Sequence, residues 1–258
     1  MRVVHRIVEM RAAVVDRDDE VVGLVPTMGS LHAGHEALFR EARPDCDLLV
    51  ASLFVNPSQF EQESDLQAYP RDLAADAAVA EAAGVDVLFA PTVEEMYPPG
   101  FATWVDPAGA AMGLEGASRP GHFRGVATVC VKLFNIVRPQ IAWFGRKDAQ
   151  QIAVLKQLVR DLDLEVEIRD VETVRDADGL ALSSRNARLT ARERAAAAAI
   201  PRALETRDVE TARAVLARAG VEPKYLVVAD LDGPTLAVAA RVGATRLIDN
   251  VRLEGEPV

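Results

Sequence analysis

The chain has 258 residues, 50% of them hydrophobic and 5% aromatic, and its 39 Asp and Glu outweigh 29 Lys and Arg to leave a net charge of −10. That composition belongs to a folded globular chain with one large domain or two moderate ones, and it excludes a disulfide scaffold, a collagen-like repeat and a disordered tail. An acidic chain makes a poor nucleic-acid binder, no stretch of about 18 apolar residues marks a membrane span, and Arg2, Arg6, Glu9 and Arg11 interrupt any signal-peptide core.

In chain order, near-continuous apolar runs at 21–25, 48–55, 85–90 and 141–144 read as strands buried on both faces, and 165–168 supplies one more. Between them, 33–43, 73–83, 126–137 and 149–161 have helical length and composition. This alternation predicts an α/β fold built on a doubly wound parallel sheet. The stretch 94–125 is richer in Pro and Gly and reads as an irregular excursion over one sheet edge. After Val174 the pattern changes to a helix from Ala191, another at 209–219 and strand candidates at 224–229 and 245–248. A small α+β second domain is expected there, with boundaries 1–174 and 175–258. Cys46 and Cys130 lack disulfide-framework or zinc spacing and read as reduced core thiols of a cytosolic protein.

Three of the strands end in pointed turn chemistry: Pro26-Thr27-Met28-Gly29, Asn56-Pro57-Ser58-Gln59 and Gly145-Arg146-Lys147-Asp148. In open α/β sheets, ligands bind at those carboxyl ends. The densest signal is Val25-Pro26-Thr27-Met28-Gly29-Ser30-Leu31-His32-Ala33-Gly34-His35, where strand gives way to helix and two of the four histidines stand three apart. That spacing projects both imidazoles from one helical face. The helix start offers free N–H groups to a phosphate, Gly29 and Gly34 admit a nucleotide to the backbone, and the two imidazoles add donors. Across 116–147 there is no Asp or Glu, while Arg119, Arg124, Lys132, Arg138, Arg146 and Lys147 are all present, which points to a local anion site. Taken alone, Ser183-Ser184-Arg185-Asn186 is a turn or helix cap.

The sequence resembles the pantothenate synthetase (pantoate–β-alanine ligase) family of nucleotidyltransferases with a His-x-Gly-His signature. The resemblance spans nearly the whole chain. It rests on Pro26-Thr27-Met28-Gly29 with Leu31-His32-Ala33-Gly34-His35, Phe54-Val55-Asn56-Pro57-Ser58-Gln59-Phe60, Tyr69-Pro70-Arg71, His122-Phe123-Arg124-Gly125-Val126, Phe144-Gly145-Arg146-Lys147-Asp148 with Gln150-Gln151, and Asp178-Gly179-Leu180-Ala181-Leu182-Ser183-Ser184-Arg185-Asn186.

The resemblance implies a Rossmann-like nucleotidyltransferase domain over 1–174 that holds ATP and pantoate, and a small C-terminal lid domain over 175–258. It implies a cytoplasmic homodimer in which ATP, with Mg²⁺, adenylates the carboxylate of pantoate with loss of pyrophosphate, and the amine of β-alanine then displaces AMP. Carried over by motif, Met28, Gly29, Ser30, Leu31, His32, Ala33, Gly34 and His35 line ATP, with His35 as proton donor or phosphate stabiliser and His32 as its partner. Gly145, Arg146, Lys147, Asp148, Leu182, Ser183, Ser184 and Arg185 complete the nucleotide wall, and Val174 meets adenine through its backbone. His32, His35, Lys147 and Arg185 are the expected catalytic residues. Gln59 and Gln151 are the expected pantoate binders, because an uncharged amide holds hydroxyls and a carboxylate without cancelling the nucleophile's charge. Asp76 is the nearest carboxylate for Mg²⁺, whose ligands are otherwise unassigned.

Three positions depart from the family pattern: Arg146 stands for the usual Glu, Ala149 for an aromatic, and Glu172 for a Pro just ahead of Val174. A cation at 146 either strengthens anion binding or points away. Two rival readings are an adenylyltransferase acting on a phosphorylated metabolite, which needs a further basic pocket, and a nucleotide-binding regulator without turnover.

Overall fold

Strands that are apolar on both faces must be covered from both sides, and the chain does this by winding helices around them. The computed structural model describes residues 1–15 and 19–253. In chain order these hold β1 (Arg2–Val4), α1 (Ile7–Val14), β2 (Val22–Thr27), α2 (Ala33–Ala42), β3 (Leu48–Leu53), α3 (Glu63–Gln67), α4 (Leu73–Ala82), β4 (Val87–Phe89), α5 (Val93–Met96), α6 (Leu114–Ser118), α7 (His122–Val137), β5 (Ile141–Gly145), α8 (Ala149–Asp161) and β6 (Glu167–Val171). There follow α9 (Ala191–Ala197), α10 (Ala199–Glu205), α11 (Val209–Arg218), β7 (Pro223–Asp230), β8 (Pro234–Val242) and β9 (Thr245–Arg252).

Strands β1 to β6 form one sheet in the order β1-β4-β3-β2-β5-β6, with the β1–β4, β4–β3, β3–β2 and β2–β5 pairs parallel. From β2 the chain winds through β3 and β4 to one side, then returns to place β5 and β6 on the other. The winding therefore reverses between β2 and β5, and the first signature turn leaves the carboxyl end of β2 at that reversal. The expected α/β doubly wound parallel sheet is the observed one.

Packing divides the chain into two compact units: Met1–Phe144 with Ala153–Val171, and Gly145–Ile152 with Glu172–Val258. The expected boundary after Val174 lies three residues past the crossing at Val171–Glu172, and the turn after Phe144 is counted with the second unit although it interrupts the first in sequence. Residues 254–258 of the expected second domain lie outside the described residues.

In the first unit, Val25, Leu38, Phe39, Leu49, Leu88 and Trp143 form a buried cluster between the sheet and its helices. Cys46 and Cys130 are free and buried, and burial pushes the Cys130 thiol up to about 12. In the second, Leu180, Ile200, Leu204 and Leu216 pack on Leu236, Val238 and Leu247 of the antiparallel sheet β7-β8-β9. No helix among the described residues is long and apolar enough to cross a membrane.

Several elements differ from the sequence reading. Helix α7 begins at His122 instead of 126, because Gly121 turns the chain with φ of 80° and Gly125, a weak helix former, is kept for close packing. A Cβ at Gly125 would stand 2.5 Å from the Ser58 carbonyl oxygen. The helix expected from 191 onward is two, α9 and α10, with Pro201 tolerated in the first turn of the second. Strand β8, rich in Ala, was not foreseen; as the middle strand of the small sheet it is paired on both sides and almost wholly buried.

Candidate functional site

The signature turn is shaped by its own backbone. Gly29 has φ of 85° and Ser30 of 55°, so two consecutive residues take the left-handed conformation that turns the chain from β2 towards α2. Thr27 at the strand end donates its hydroxyl to the Ser52 carbonyl at 2.8 Å, and Tyr69 donates to the Gly29 carbonyl at 3.3 Å. The amides of Ser30 and Leu31 donate to the two oxygens of the buried Asp76 carboxylate at 3.0 and 2.7 Å.

Helix α2 is capped by two histidines. His32 Nδ1 accepts the Gly34 amide at 3.1 Å, and His35 Nδ1 accepts the His32 amide at 3.2 Å. An Nδ1 that accepts from a backbone N–H carries no proton, so in both neutral rings the hydrogen sits on Nε2. The ring centroids are 4.2 Å apart, so the rings are neighbours as expected, although His32 is the extended N-cap residue and the capping bonds, not a shared helical face, bring them together. The amides of Ser30, Leu31, His32 and Gly34 thus have acceptors within the chain, so the helix start offers fewer free N–H groups than expected. The imidazole Nε2–H groups are further donors of this turn.

Beside Met28 lies a second polar group. Asn56, at the end of β3, is buried and donates its amide to the Gly125 carbonyl at 3.1 Å and to Gln59 Oε1 at 2.9 Å. Its oxygen accepts from the Ser58 amide, the Ser58 hydroxyl at 2.8 Å and the Tyr97 hydroxyl at 3.0 Å. Because a backbone carbonyl can only accept and a backbone N–H can only donate, Asn56 has one orientation, and it forces Gln59 to accept with its oxygen. Gln59 therefore turns its NH₂ towards Met28, donating to Sδ at 3.1 Å. The Gln59 main-chain carbonyl is held as well, accepting from His122 Nδ1 at 3.0 Å and from Arg119 at 3.2 Å. His122 is thus an Nδ1–H tautomer, opposite to His32 and His35, and its Nε2 faces Arg119 at 3.2 Å.

Sequence reasoning assigned no role to Asn56, Tyr97 or His122, although Asn56 and His122 lie in quoted motifs. Replacing Tyr97 with Phe removes one of three donors to Asn56 and leaves the aromatic packing on Phe101 and Trp104. The expected result is a loss of about two- to tenfold in kcat/KM for the substrate that Gln59 is expected to hold, measured by steady-state kinetics with the melting temperature as control.

Within the basic stretch, cations of the first unit have partners close by. Arg119 is spent on Gln59, Arg124 lies 4.5 Å over the Trp104 ring, Lys132 lies over Tyr97 and Phe101, and Arg138 ends α7 in the left-handed conformation. Burial holds the Lys132 amine below its ordinary value and the Tyr97 phenol above its own.

In the second unit, the Arg146 side chain is buried and turned into the small sheet, donating to the Thr235 hydroxyl at 2.8 Å with Asp232 at 3.9 Å. The guanidinium anchors the turn within the second unit. Asn250 on β9 completes the anchor, donating to the main-chain carbonyls of Arg146 and Lys147 at 2.9 and 3.0 Å. Lys147 is half-buried and Asp148 exposed, and Ala149 fits the buried start of α8 where an aromatic was expected. Replacing Arg146 with Ala should lower stability by about 1–3 kcal/mol, read as a lower melting temperature, because Thr235 loses a charged donor and the buried side chain leaves a void, while Asp232 keeps Arg252 at 3.1 Å.

Also in that unit, Val174 pairs with Leu182, whose amide donates to its carbonyl at 2.9 Å. Ser183 caps the short 3-10 turn Ser184–Arg188 through the Arg185 amide at 3.2 Å, and Arg185 extends exposed. Asn186 donates to the Ala181 carbonyl and fixes the turn from below. His32, His35 and Gln59 thus belong to the first unit, and Lys147, Gln151, Val174, Leu182, Ser183, Ser184 and Arg185 to the second. Among the described residues no group of three His, Cys, Asp or Glu side chains is placed to hold a metal ion.

Comparison with known proteins matches residues 2–252 to the model of the pantoate-beta-alanine ligase family. The chain is 52% identical to a pantothenate synthetase of Chloroflexus aurantiacus, covering 99% of both chains, and 52% identical to one of Corynebacterium glutamicum, covering 90% of this chain and 93% of that one. The crystal structure of pantothenate synthetase from Thermus thermophilus is similar at TM-score 0.92 and 45% identity, over 98% of this chain and 99% of that one. A pantoate-beta-alanine ligase from Francisella tularensis, complexed with beta-gamma ATP and beta-alanine, is similar at TM-score 0.88 and 35% identity, over 98% and 97%. With its histidine-capped turn intact and nearly its full length matched, the chain belongs to the pantoate-beta-alanine ligase family.

Proposed function

We propose that the chain condenses pantoate with β-alanine at the expense of ATP, through a pantoyl adenylate. The observation that carries this reading is the forced direction of Gln59. An amide held as a donor, neutral and beside the signature turn, suits an acceptor such as a carboxylate or hydroxyl oxygen. It leaves the charge of the attacking carboxylate intact.

In the first step a carboxylate oxygen of pantoate forms a bond to the α-phosphorus of ATP while the bond to the bridging oxygen breaks and pyrophosphate leaves. Charge grows on the phosphate oxygens, and the Nε2–H groups of His32 and His35 meet it with donors fixed in advance by the capping bonds. Lys147 and Arg185, carried over by their motifs, supply a point charge and a planar fork suited to phosphate oxygens. In the second step the amine of β-alanine attacks the acyl carbon, the amine proton is lost, and AMP leaves.

Gly145, Asp148, Leu182, Ser183 and Ser184 belong to the proposed nucleotide wall, Val174 to the adenine contact, and Gln151 to the pantoate contact. The proposal includes the domain roles 1–174 and 175–258, a cytoplasmic homodimer and Mg²⁺ arriving with ATP. The side chains fit a protein-bound Mg²⁺ poorly, since both Asp76 oxygens already accept amides, and no step is assigned to the ion. An adenylyltransferase acting on a second phosphate finds little support in the basic stretch, where Arg119, Arg124, Lys132 and Arg146 are engaged within the chain.

Pantoate labelled with ¹⁸O in its carboxylate tests the adenylate directly. One labelled oxygen is expected in the AMP released; label found only in pantothenate would contradict the reading.

A further inference from the structure

Asp76 is a buried carboxylate, 4% exposed, and the chemistry above makes no use of it. It stands in the first turn of α4, where the helix dipole favours a negative charge. Its oxygens face a small concavity of backbone. Gly29 and Ser30 are both left-handed, which aims the amides of Ser30 and Leu31 to one side. Such a pair of N–H groups is built for an anion, and here the chain fills it with its own carboxylate at 3.0 and 2.7 Å.

We infer that Asp76 is the positioning residue of the signature turn, clamping Ser30 and Leu31 so that His32 and His35 begin α2 with both Nε2–H groups presented. The inference rests on the reading that those histidines act on ATP. Three features point the same way. Two converging N–H donors need two acceptor atoms and no donor, which a carboxylate provides and an amide does not. Ser30 holds a conformation that side-chain-bearing residues seldom adopt, and the bond from its amide fixes it there. A Cβ at Gly29 would stand 2.8 Å from Asp76 Oδ2, so the turn and the carboxylate are fitted to each other. Asp76 acts through the turn and does not serve as an Mg²⁺ ligand.

The test uses the full chain with Asp76→Asn and, separately, Gly29→Ala. Pyrophosphate release from ATP and pantoate is measured across Mg²⁺ concentrations, and amide exchange at Ser30 and Leu31 is measured without ligands. For Asp76→Asn, exchange at both amides accelerates and kcat falls about tenfold or more, while the pantoate KM stays within about twofold and the Mg²⁺ midpoint does not move. Gly29→Ala gives the same pattern with the carboxylate still present, and it decides the matter alone if Asp76→Asn does not fold. Unchanged exchange, an unchanged kcat, or a kcat restored by added Mg²⁺ overturns the inference, the last by making Asp76 a metal ligand. A parent protein that releases no pyrophosphate sinks the functional reading instead, and the exchange data still judge the clamp.

Discussion

Replacing His35 with Asn lowers pyrophosphate release about 10²- to 10³-fold while the fold survives. The Asn side-chain oxygen falls near the place of Nδ1 and keeps an acceptor for the His32 amide, so the cap of α2 is preserved. What is lost is the Nε2–H, a preorganised donor of the kind whose removal costs about that much in rate. Replacement with Gln reverses the trade. Its NH₂ falls near the place of Nε2 and recovers part of the rate, while the cap weakens by about 1 kcal/mol and the melting temperature drops. Steady-state kinetics and a thermal melt on both variants separate the two jobs of one ring. A rate for His35→Asn within about twofold of the parent would remove the histidine pair from the chemistry.

Gln59→Glu has the second large effect, and it falls on a different substrate. The change is isosteric, and the new carboxylate still accepts from Asn56, so the local structure is retained. The group beside Met28 becomes an oxygen in place of NH₂, and an anion meets the pantoate carboxylate. Loss of the donor together with like-charge repulsion should raise the pantoate KM about 10²-fold or more, with the ATP KM within about twofold. An equal rise in both constants would mean that Gln59 supports the nucleotide.

Much of this was legible in the sequence because the signals were local. Apolar runs mark five strands of the parallel sheet, and the His32 and His35 spacing marks the paired rings, although His32 sits at the extended N-cap. What escaped depended on contacts distant in sequence. Asp76 lies on another helix from the amides it clamps, and His122 and Gly125 reach the Gln59 turn from α7. The edge strand β1 is only three residues long. Strand β8 reads as an Ala-rich stretch of no clear period, and its two neighbours in the sheet make it a strand. Arg146 was visible as a departure, but its direction was decided by Thr235 and Asp232, almost ninety positions away.

The same residue bears on whether the chain turns over. With its guanidinium buried in the small sheet, Arg146 stands for the usual Glu as an anchor of the turn, and Asn250 steadies Lys147 by the main chain. A chain so arranged is expected to be active.

The most direct test is to follow pyrophosphate and AMP from Mg·ATP with pantoate alone, with β-alanine alone, and with both. Pyrophosphate that requires pantoate, together with AMP and pantothenate that require both, is the predicted result. ATP that binds while neither product forms under any condition would contradict the account.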